Sequence, residues 1–260
     1  MPSRERTSTG CYSSKAPQIN PLFTLKESVH KYLWALSILF RGWFFVSLPR
    51  RTNKKQRDTM VVLPLTYWGN IEHFAHLLQA GDEAVIDLGE NYVKRSERNR
   101  TEIVTPTGGM ILSVPLVKAN RPRTPMRDMR IDNSKRWQHQ HWVAILSAYH
   151  SSPYYDYIAD RIAPIYEREW KFLVELNSEI LQAEFDILGI EPKHRVSEIY
   201  IEPSEGIVDL RDKKRESQFG SPQYFQLFMD RTPFVENASM LDMLMCEGRE
   251  ATALLNSCRL

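Results

Sequence analysis

The sequence predicts an α/β fold in which short strands alternate with helices and helices dominate the second half. Short apolar runs such as Val61–Leu65 and Ala84–Leu88 have the length of buried strands. Other segments place apolar residues three and four positions apart, which is the spacing of one helix face. Strands that alternate with helices favour a layered α/β architecture over a bundle of helices.

The first predicted elements follow one another closely along the chain. Val61–Leu65 is predicted to form the first strand. Asn70 can cap a helix over Ile71–Ala80, which Gly81 then ends. The run Ala84–Leu88 returns to strand character and predicts a second strand.

A hairpin and two helices are predicted next. The β-rich segments Glu102–Val104 and Met110–Val117 are joined by a turn that contains proline and glycine. The apolar spacing then becomes helical, first from Ser134 to Tyr149, with Ser134 as the cap, and then over Glu167–Leu188.

The remaining predicted elements are shorter. Candidate strands lie at Met129–Ile131, Val196–Ile201 and Tyr224–Phe228. A final helix is predicted over Ser239–Leu255, with an interruption near Gly248.

Charge divides the chain near Met60. Residues 1–59 contain eleven basic and three acidic side chains, a formal charge of +8, so the total of +2 leaves −6 for residues 60–260. We therefore expect a basic leader over residues 1–59, either unstructured or a misassigned start, and a folded region over residues 60–260. Because the folded region is acidic, the sequence does not predict nucleic-acid binding.

The leader has three interpretations. The first is that translation starts at Met60 and the native protein lacks the leader, and the second is a basic tail with an interfacial helix over Tyr32–Leu48. The third interpretation is a membrane anchor, although Arg41 interrupts the apolar stretch. We expect contact with a membrane only if the leader is real.

The densest group of polar side chains is residues 90–100, directly after the second predicted strand. Ligands of α/β proteins bind at the carboxyl ends of strands. Lys94 and Arg100 could therefore hold a phosphate or carboxylate, with Glu90 as a base or as a partner of Lys94. The alternative is a solvated segment with weak local ion pairs.

Three further side chains are candidate site residues, and each of them could equally have a role that is only structural. Lys118 could face the same anion or only keep a loop soluble. Asp132 could act as a base, orient a basic group or help to cap the following helix. His141 shares an apolar helix face with Trp137, so it is either an acid-base catalyst or a buried core histidine.

The sequence contains no fingerprint that assigns a cofactor or a metal. His73 and His76 are spaced to share a metal ion, but no third ligand is evident, so we predict no metal site. The three cysteines form no disulfide framework, which favours a reducing compartment and a cytoplasmic location.

Three stretches of residues 60–260 form one set of motifs. The stretches are Leu63-Pro64 with Ile71–Phe74; Glu90–Lys94 with Arg98–Arg100, Ser113–Lys118, Ile131-Asp132, Lys135–Gln138, Ser147–Tyr149 and Ser152–Tyr154; and Tyr224–Gln226 with Phe234, Asn237, Ser239–Leu244 and Glu247-Gly248. Together they resemble the WbqC-like family, and the resemblance includes none of residues 1–59. The chain departs from the family's usual opening, since Leu63 stands where a glutamine is common and Glu72-His73 where a Gly-Tyr pair is common.

The resemblance implies a role near surface-polysaccharide biosynthesis, including that of O-antigen, because the family is associated with such gene clusters. It does not imply a particular reaction. The polar residues at matching family positions are Glu90, Asn91, Lys94, Asn99, Arg100, Lys118, Asp132 and Asp242. Of these, Asn91, Lys94, Asn99, Arg100, Lys118 and Asp242 are predicted to bind substrate.

We therefore expect a cytoplasmic transferase that acts on a sugar nucleotide or another anionic small molecule, by acyl or aminoacyl transfer. Glu90 or Asp132 would be the base, with His141 in reserve. The alternative is a non-catalytic accessory or binding protein of the glycan-assembly machinery. The two differ in whether residues 90–100 converge in a cleft or lie on a convex surface.

Overall fold

The protein has an α/β fold, as the sequence predicts. The structure is a computed structural model that describes residues 59–118 and 123–260. The prediction of a separate leader falls on residues 1–58, which lie outside this described part. The strands are β1 (Met60–Leu63), β2 (Ala84–Asp87), β3 (Arg100–Thr105), β4 (Gly108–Ser113), β5 (Arg195–Ser197) and β6 (Ile207–Asp209). The helices are α1 (Ile71–Ala80), α2 (Trp137–Tyr149), α3 (Tyr155–Glu167), α4 (Leu173–Leu188), α5 (Met240–Glu247) and α6 (Ala251–Ser257).

A parallel sheet with the strand order β5-β2-β1-β6 carries the candidate site. Val62 of β1 lies opposite Val85 of β2, and Val61 lies opposite Val208 of β6. The central strands β1 and β2 are mostly buried, and α1 packs against both of them. Since all pairs are parallel, the carboxyl ends of β1, β2 and β6 meet at one edge.

The helix α1 covers the sheet, and the other helices build the rest of the core. Asn70 caps α1, since its side chain accepts a hydrogen bond from the backbone N–H of His73. The helix contacts β1, β2 and α6. The antiparallel pair β3 and β4 contacts α2 and α5 through β3, while α2, α3, α4 and α5 pack in succession.

Two predicted helix boundaries are wrong. Ser134 does not cap α2, because its hydroxyl donates to Asp132 Oδ1 at 2.6 Å and the helix begins only at Trp137. The predicted helix over Glu167–Leu188 is interrupted at its start. Arg168 is extended, with φ −88° and ψ 137°, so α3 ends at Glu167 and α4 begins at Leu173.

Two of the predicted strands do not form, and one strand of the sheet was not predicted. Tyr224–Phe228 forms no strand, and the Tyr224 hydroxyl instead donates to Asp242 Oδ2 at 2.6 Å. Met129–Ile131 forms only isolated bridges. The strand β6 was not predicted, because a run of three residues between polar segments is too short to be recognised as a strand.

Helices long and apolar enough to cross a membrane are absent from residues 59–118 and 123–260.

Candidate functional site

A cleft of about 440 Å³ opens at the carboxyl edge of the parallel sheet. Pro64 directly follows β1, and Leu210 directly follows β6, so the cleft lies where these two neighbouring strands end. This is the edge at which parallel α/β sheets bind ligands. Its lining residues come from four segments: residues 64–70, the first turns of α1, residues 95–102 and residues 210–217, with Ile111, Asn237 and Ser239 at the margin.

The turn between β1 and α1 brings backbone unusually close to the first turn of the helix. Trp68 has a positive φ of 46°. At Gly69 a Cβ atom would lie 2.5 Å from Thr66 Oγ1 and 3.0 Å from His73 Cδ2, so only glycine fits. This turn places Asn70 at the cleft, where its Nδ2 donates to Glu97 Oε1 at 2.7 Å.

Beneath the cleft, two arginines are neutralised by buried carboxylates. Arg98 Nε donates to Glu90 Oε1 at 2.8 Å, and its guanidinium also donates to the backbone oxygen of Arg211 at 3.0 Å. Arg211 is bound to Asp87 and to Asp209. Burial raises the pKa of Glu90, although hydrogen bonds and charge from Arg98 act against that shift. These pairs fix the floor of the cleft.

A second carboxylate, Glu72, is neutralised in the cleft wall. It is bound by Arg215 and accepts a hydrogen bond from Ser217 Oγ at 2.7 Å. His76 Nε2 lies 3.9 Å from Glu72 Oε1. Burial, followed by the charge of Arg215, lowers the pKa of His76, so this ring is neutral at neutral pH despite Glu72.

Three cations of the cleft have no carboxylate partner in the described part of the chain: Arg95, Arg100 and Lys213. The Nε atom of Arg100 is buried and makes no hydrogen bond. Buried polar atoms are nearly always paired, so a lone donor of this kind calls for a partner. Lys213 donates to the backbone oxygen of Lys94 at 3.1 Å, which holds its ammonium beside residues 94–95.

Glu97 is the carboxylate of the cleft with the most perturbed protonation. Its side chain is exposed, although Asn70 and other protein atoms lie close to the carboxylate. Desolvation by these atoms, and then the charge of Glu72, raise the pKa of Glu97 to about 7 against the opposing charges of Arg98 and Arg215. Glu97 can therefore gain or lose a proton at neutral pH.

We predict that the Glu97 carboxyl titrates near pH 7 when it is followed by carbon-detected NMR. The variant Glu72→Gln should lower the pKa of Glu97, because it removes a negative charge that disfavours ionisation. Asp132 serves as the internal reference, since hydrogen bonds from Ser134 hold its pKa below the ordinary range. An unchanged Glu97 midpoint in the Glu72 variant would contradict the coupling.

Within residues 90–100, the structure brings only Arg100 of the predicted site residues to the cleft. Glu90 lies beneath the floor in its pair with Arg98, and Asn99 is buried, donating to the backbone oxygen of Val114 at 2.8 Å. Asn91 and Lys94 are exposed outside the cleft lining.

The other predicted site residues lie elsewhere. Lys118 and Asp132 are outside the cleft lining. His141 is 5% exposed, and its Nδ1 lies 2.8 Å from the hydroxyl of Tyr67. Burial lowers the pKa of His141 to about 4. Asp242 is buried and accepts hydrogen bonds from two tyrosine hydroxyls.

The segment 210–217 and the position of α1 in the cleft wall were not predicted from the sequence. A run of charge over residues 211–215 follows β6, but that strand was not recognised. His73 and His76 were considered only as a metal pair. No group of three or more His, Cys, Asp or Glu side chains in the described ranges could hold a metal ion.

Comparisons with known proteins place the chain in a family without assigning a reaction. The chain is 28% identical over 207 residues to the uncharacterized protein Rv1507c of Mycobacterium tuberculosis, covering 68% of this chain and 89% of that protein. No solved structure matches it. A sequence model of the WbqC-like protein family matches residues 70–222, which include most of the cleft lining from Asn70 to Ser217. That match extends over more than half of the sequence, and the chain belongs to the WbqC-like protein family.

Proposed function

We propose that the cleft binds a sugar nucleotide and that the protein is a cytoplasmic transferase of surface-polysaccharide biosynthesis, acting by acyl or aminoacyl transfer. The association of the family with polysaccharide gene clusters supports the pathway. A reducing compartment is compatible with Cys246 and Cys258, which are both free thiols.

The observation that carries this proposal is the state of Arg100. Its guanidinium lines a concave cavity, has no carboxylate partner in the described residues, and has a buried Nε that makes no hydrogen bond. Arg98, Arg211 and Arg215, by contrast, are each bound to carboxylates. An arginine with free donors in a cleft suits a phosphate group, to which it can donate two parallel hydrogen bonds.

Different residues of the cleft would serve in binding and in proton transfer. Arg100, with Arg95 and Lys213, would hold the diphosphate of the nucleotide. Asn70 would form hydrogen bonds with hydroxyl groups of the sugar. Glu97 would transfer the proton in place of Glu90, Asp132 or His141, because Glu97 lines the cleft and those three residues do not.

The alternative of a non-catalytic accessory protein predicts a convex surface over residues 90–100. Residues 95–98 and 100–101 line a concavity instead, which supports the binding of a small ligand. A binding module without turnover would use the same cleft, so only an activity measurement separates it from a transferase.

We expect the variant Arg100→Gln to weaken the binding of UDP-glucose by about 10- to 100-fold, because a charged hydrogen bond contributes about 1.5–3 kcal/mol. Isothermal titration calorimetry measures this, with circular dichroism to confirm that the variant is folded. The matched control is Arg231→Gln, an exposed arginine outside the cleft, which should bind as the wild type does.

Transfer itself is tested by mass spectrometry of UDP-sugars incubated with the wild type and acyl thioesters. A mass increase that Arg100→Gln reduces would support a transferase. Binding without any mass change would support the binding module instead. If the wild type binds no UDP-sugar, the proposed function is wrong.

A further inference from the structure

The cleft contains unpartnered groups of both charges. Its cations without a carboxylate partner are Arg95, Arg100 and Lys213. Its carboxylates Glu97, Glu102 and Asp212 make no ion pair within the described ranges. A ligand with negative charge alone would be attracted by the first group and repelled by the second. A ligand that also carries a positive group would match both.

Glu97 is held in one position by its neighbours. The backbone N–H of Tyr67 donates to the Glu97 backbone oxygen at 2.8 Å. Asn70 Nδ2 donates to Glu97 Oε1 at 2.7 Å, and Asn70 is itself fixed because its Oδ1 accepts from the backbone N–H of His73 at 2.8 Å. No group of the described residues binds Oε2, so this oxygen remains available in the cleft.

The two arginines whose charges act on Glu97 are bound to other carboxylates. Arg98, its neighbour in sequence, turns to Glu90, and Arg215 binds Glu72. Partial desolvation and then the charge of Glu72 raise the pKa of Glu97, which makes its ionised form costly. A cationic group of a ligand would offset this cost.

We propose that the nucleotide-linked sugar carries a free amino group, which Glu97 binds as an ammonium while Arg100 holds the phosphates. This inference rests on the proposed function, because it assumes a sugar nucleotide in the cleft. It makes Glu97 the residue that distinguishes an amino sugar from a neutral sugar. Glu102, on β3, adds negative charge to the cleft.

UDP-glucosamine and UDP-glucose form a matched pair of probes, since they differ only in an amino group in place of one hydroxyl. Calorimetry at a pH just above the pKa of Glu97 should show that the wild type binds UDP-glucosamine about 10-fold more tightly, as one charge-assisted hydrogen bond implies. UDP-N-acetylglucosamine, whose nitrogen is uncharged, should lose this preference.

The variant Glu97→Gln should bind both nucleotides alike, whereas Glu205→Gln, an exposed acid outside the cleft, should keep the preference. Equal binding of the two probes by the wild type would overturn the inference and leave the proposed function standing. A preference that survives in Glu97→Gln would also overturn it. If neither probe binds, the inference and the proposed function both fall.

Discussion

Replacing Arg211 with methionine is expected to lower the free energy of unfolding by about 3–5 kcal/mol, the usual loss when one partner of a buried ion pair is removed. Arg211 is 6% exposed, and Asp87, its partner, is fully buried. Without the guanidinium, Asp87 would remain as an uncompensated charge at the end of β2.

Arg211 also joins several segments of the sheet edge. It donates to Asp209 through both Nε and Nη2, and to the backbone oxygen of Ile201 at 2.7 Å. Its guanidinium lies 4.5 Å from the ring centre of Tyr200. Burial lowers the pKa of Arg211, but the bonds and charge of Asp209 outweigh burial and leave it above the ordinary value.

Urea unfolding of the wild type and the variant measures this effect. The matched control is Arg195→Met, whose pair with Glu83 is exposed and 3.9 Å long, so its loss should be under about 1 kcal/mol. If Arg211→Met does not fold, Asp209→Asn gives a milder test, with a loss of about 1–3 kcal/mol. A loss under about 1 kcal/mol in both variants would show that the buried ion pairs do not hold this edge together.

The variant Asp242→Ala is expected to destabilise the protein by about 3 kcal/mol or more, because it leaves the buried hydroxyls of Tyr149 and Tyr224 without an acceptor. Asp242 Oδ1 accepts from the Tyr149 hydroxyl at 3.0 Å, and Oδ2 accepts from the Tyr224 hydroxyl at 2.6 Å. Gln226 Nε2 lies 3.3 Å from Oδ2. This carboxylate thereby joins α2, α5 and the segment around Tyr224.

Thermal or urea unfolding tests the Asp242 prediction. Asp230→Ala is the control, since Asp230 is exposed and pairs only with its neighbour Arg231, so its change should stay within about 0.5 kcal/mol. Tyr224→Phe removes a single donor and should cost less than Asp242→Ala. If Asp242→Ala unfolds no more easily than the control, the carboxylate has no structural role at this position.

The sequence predicted the elements whose signal is local. The cap at Asn70, the extent of α1, the β3–β4 hairpin and the interruption near Gly248 each depend on residues close in the chain. The strand β6 was missed, because its three residues are ordered by pairing with β1 from across the chain. The break between α3 and α4 depends in part on Trp170, whose Nε1 donates to the Ile165 backbone oxygen at 2.7 Å.

The candidate site was predicted only in part for the same reason. Residues 90–100 were recognised by their charge and by their place after β2, and Arg100 does line the cleft. Sequence could not show that Glu90 turns inward to Arg98, or that Arg215 reaches Glu72 from 143 positions away. These pairings decide which charges remain free, and they exist only in the folded chain.

The most direct test of the central claim follows the Nε–H signal of Arg100 by nitrogen-detected NMR while UDP-glucose is added to arginine-labelled protein. We predict that this signal shifts as the guanidinium of Arg100 binds a phosphate group, while the signal of Arg231 stays unchanged. A titration that saturates while the Arg100 signal does not move would contradict the assignment of this cleft as the nucleotide site.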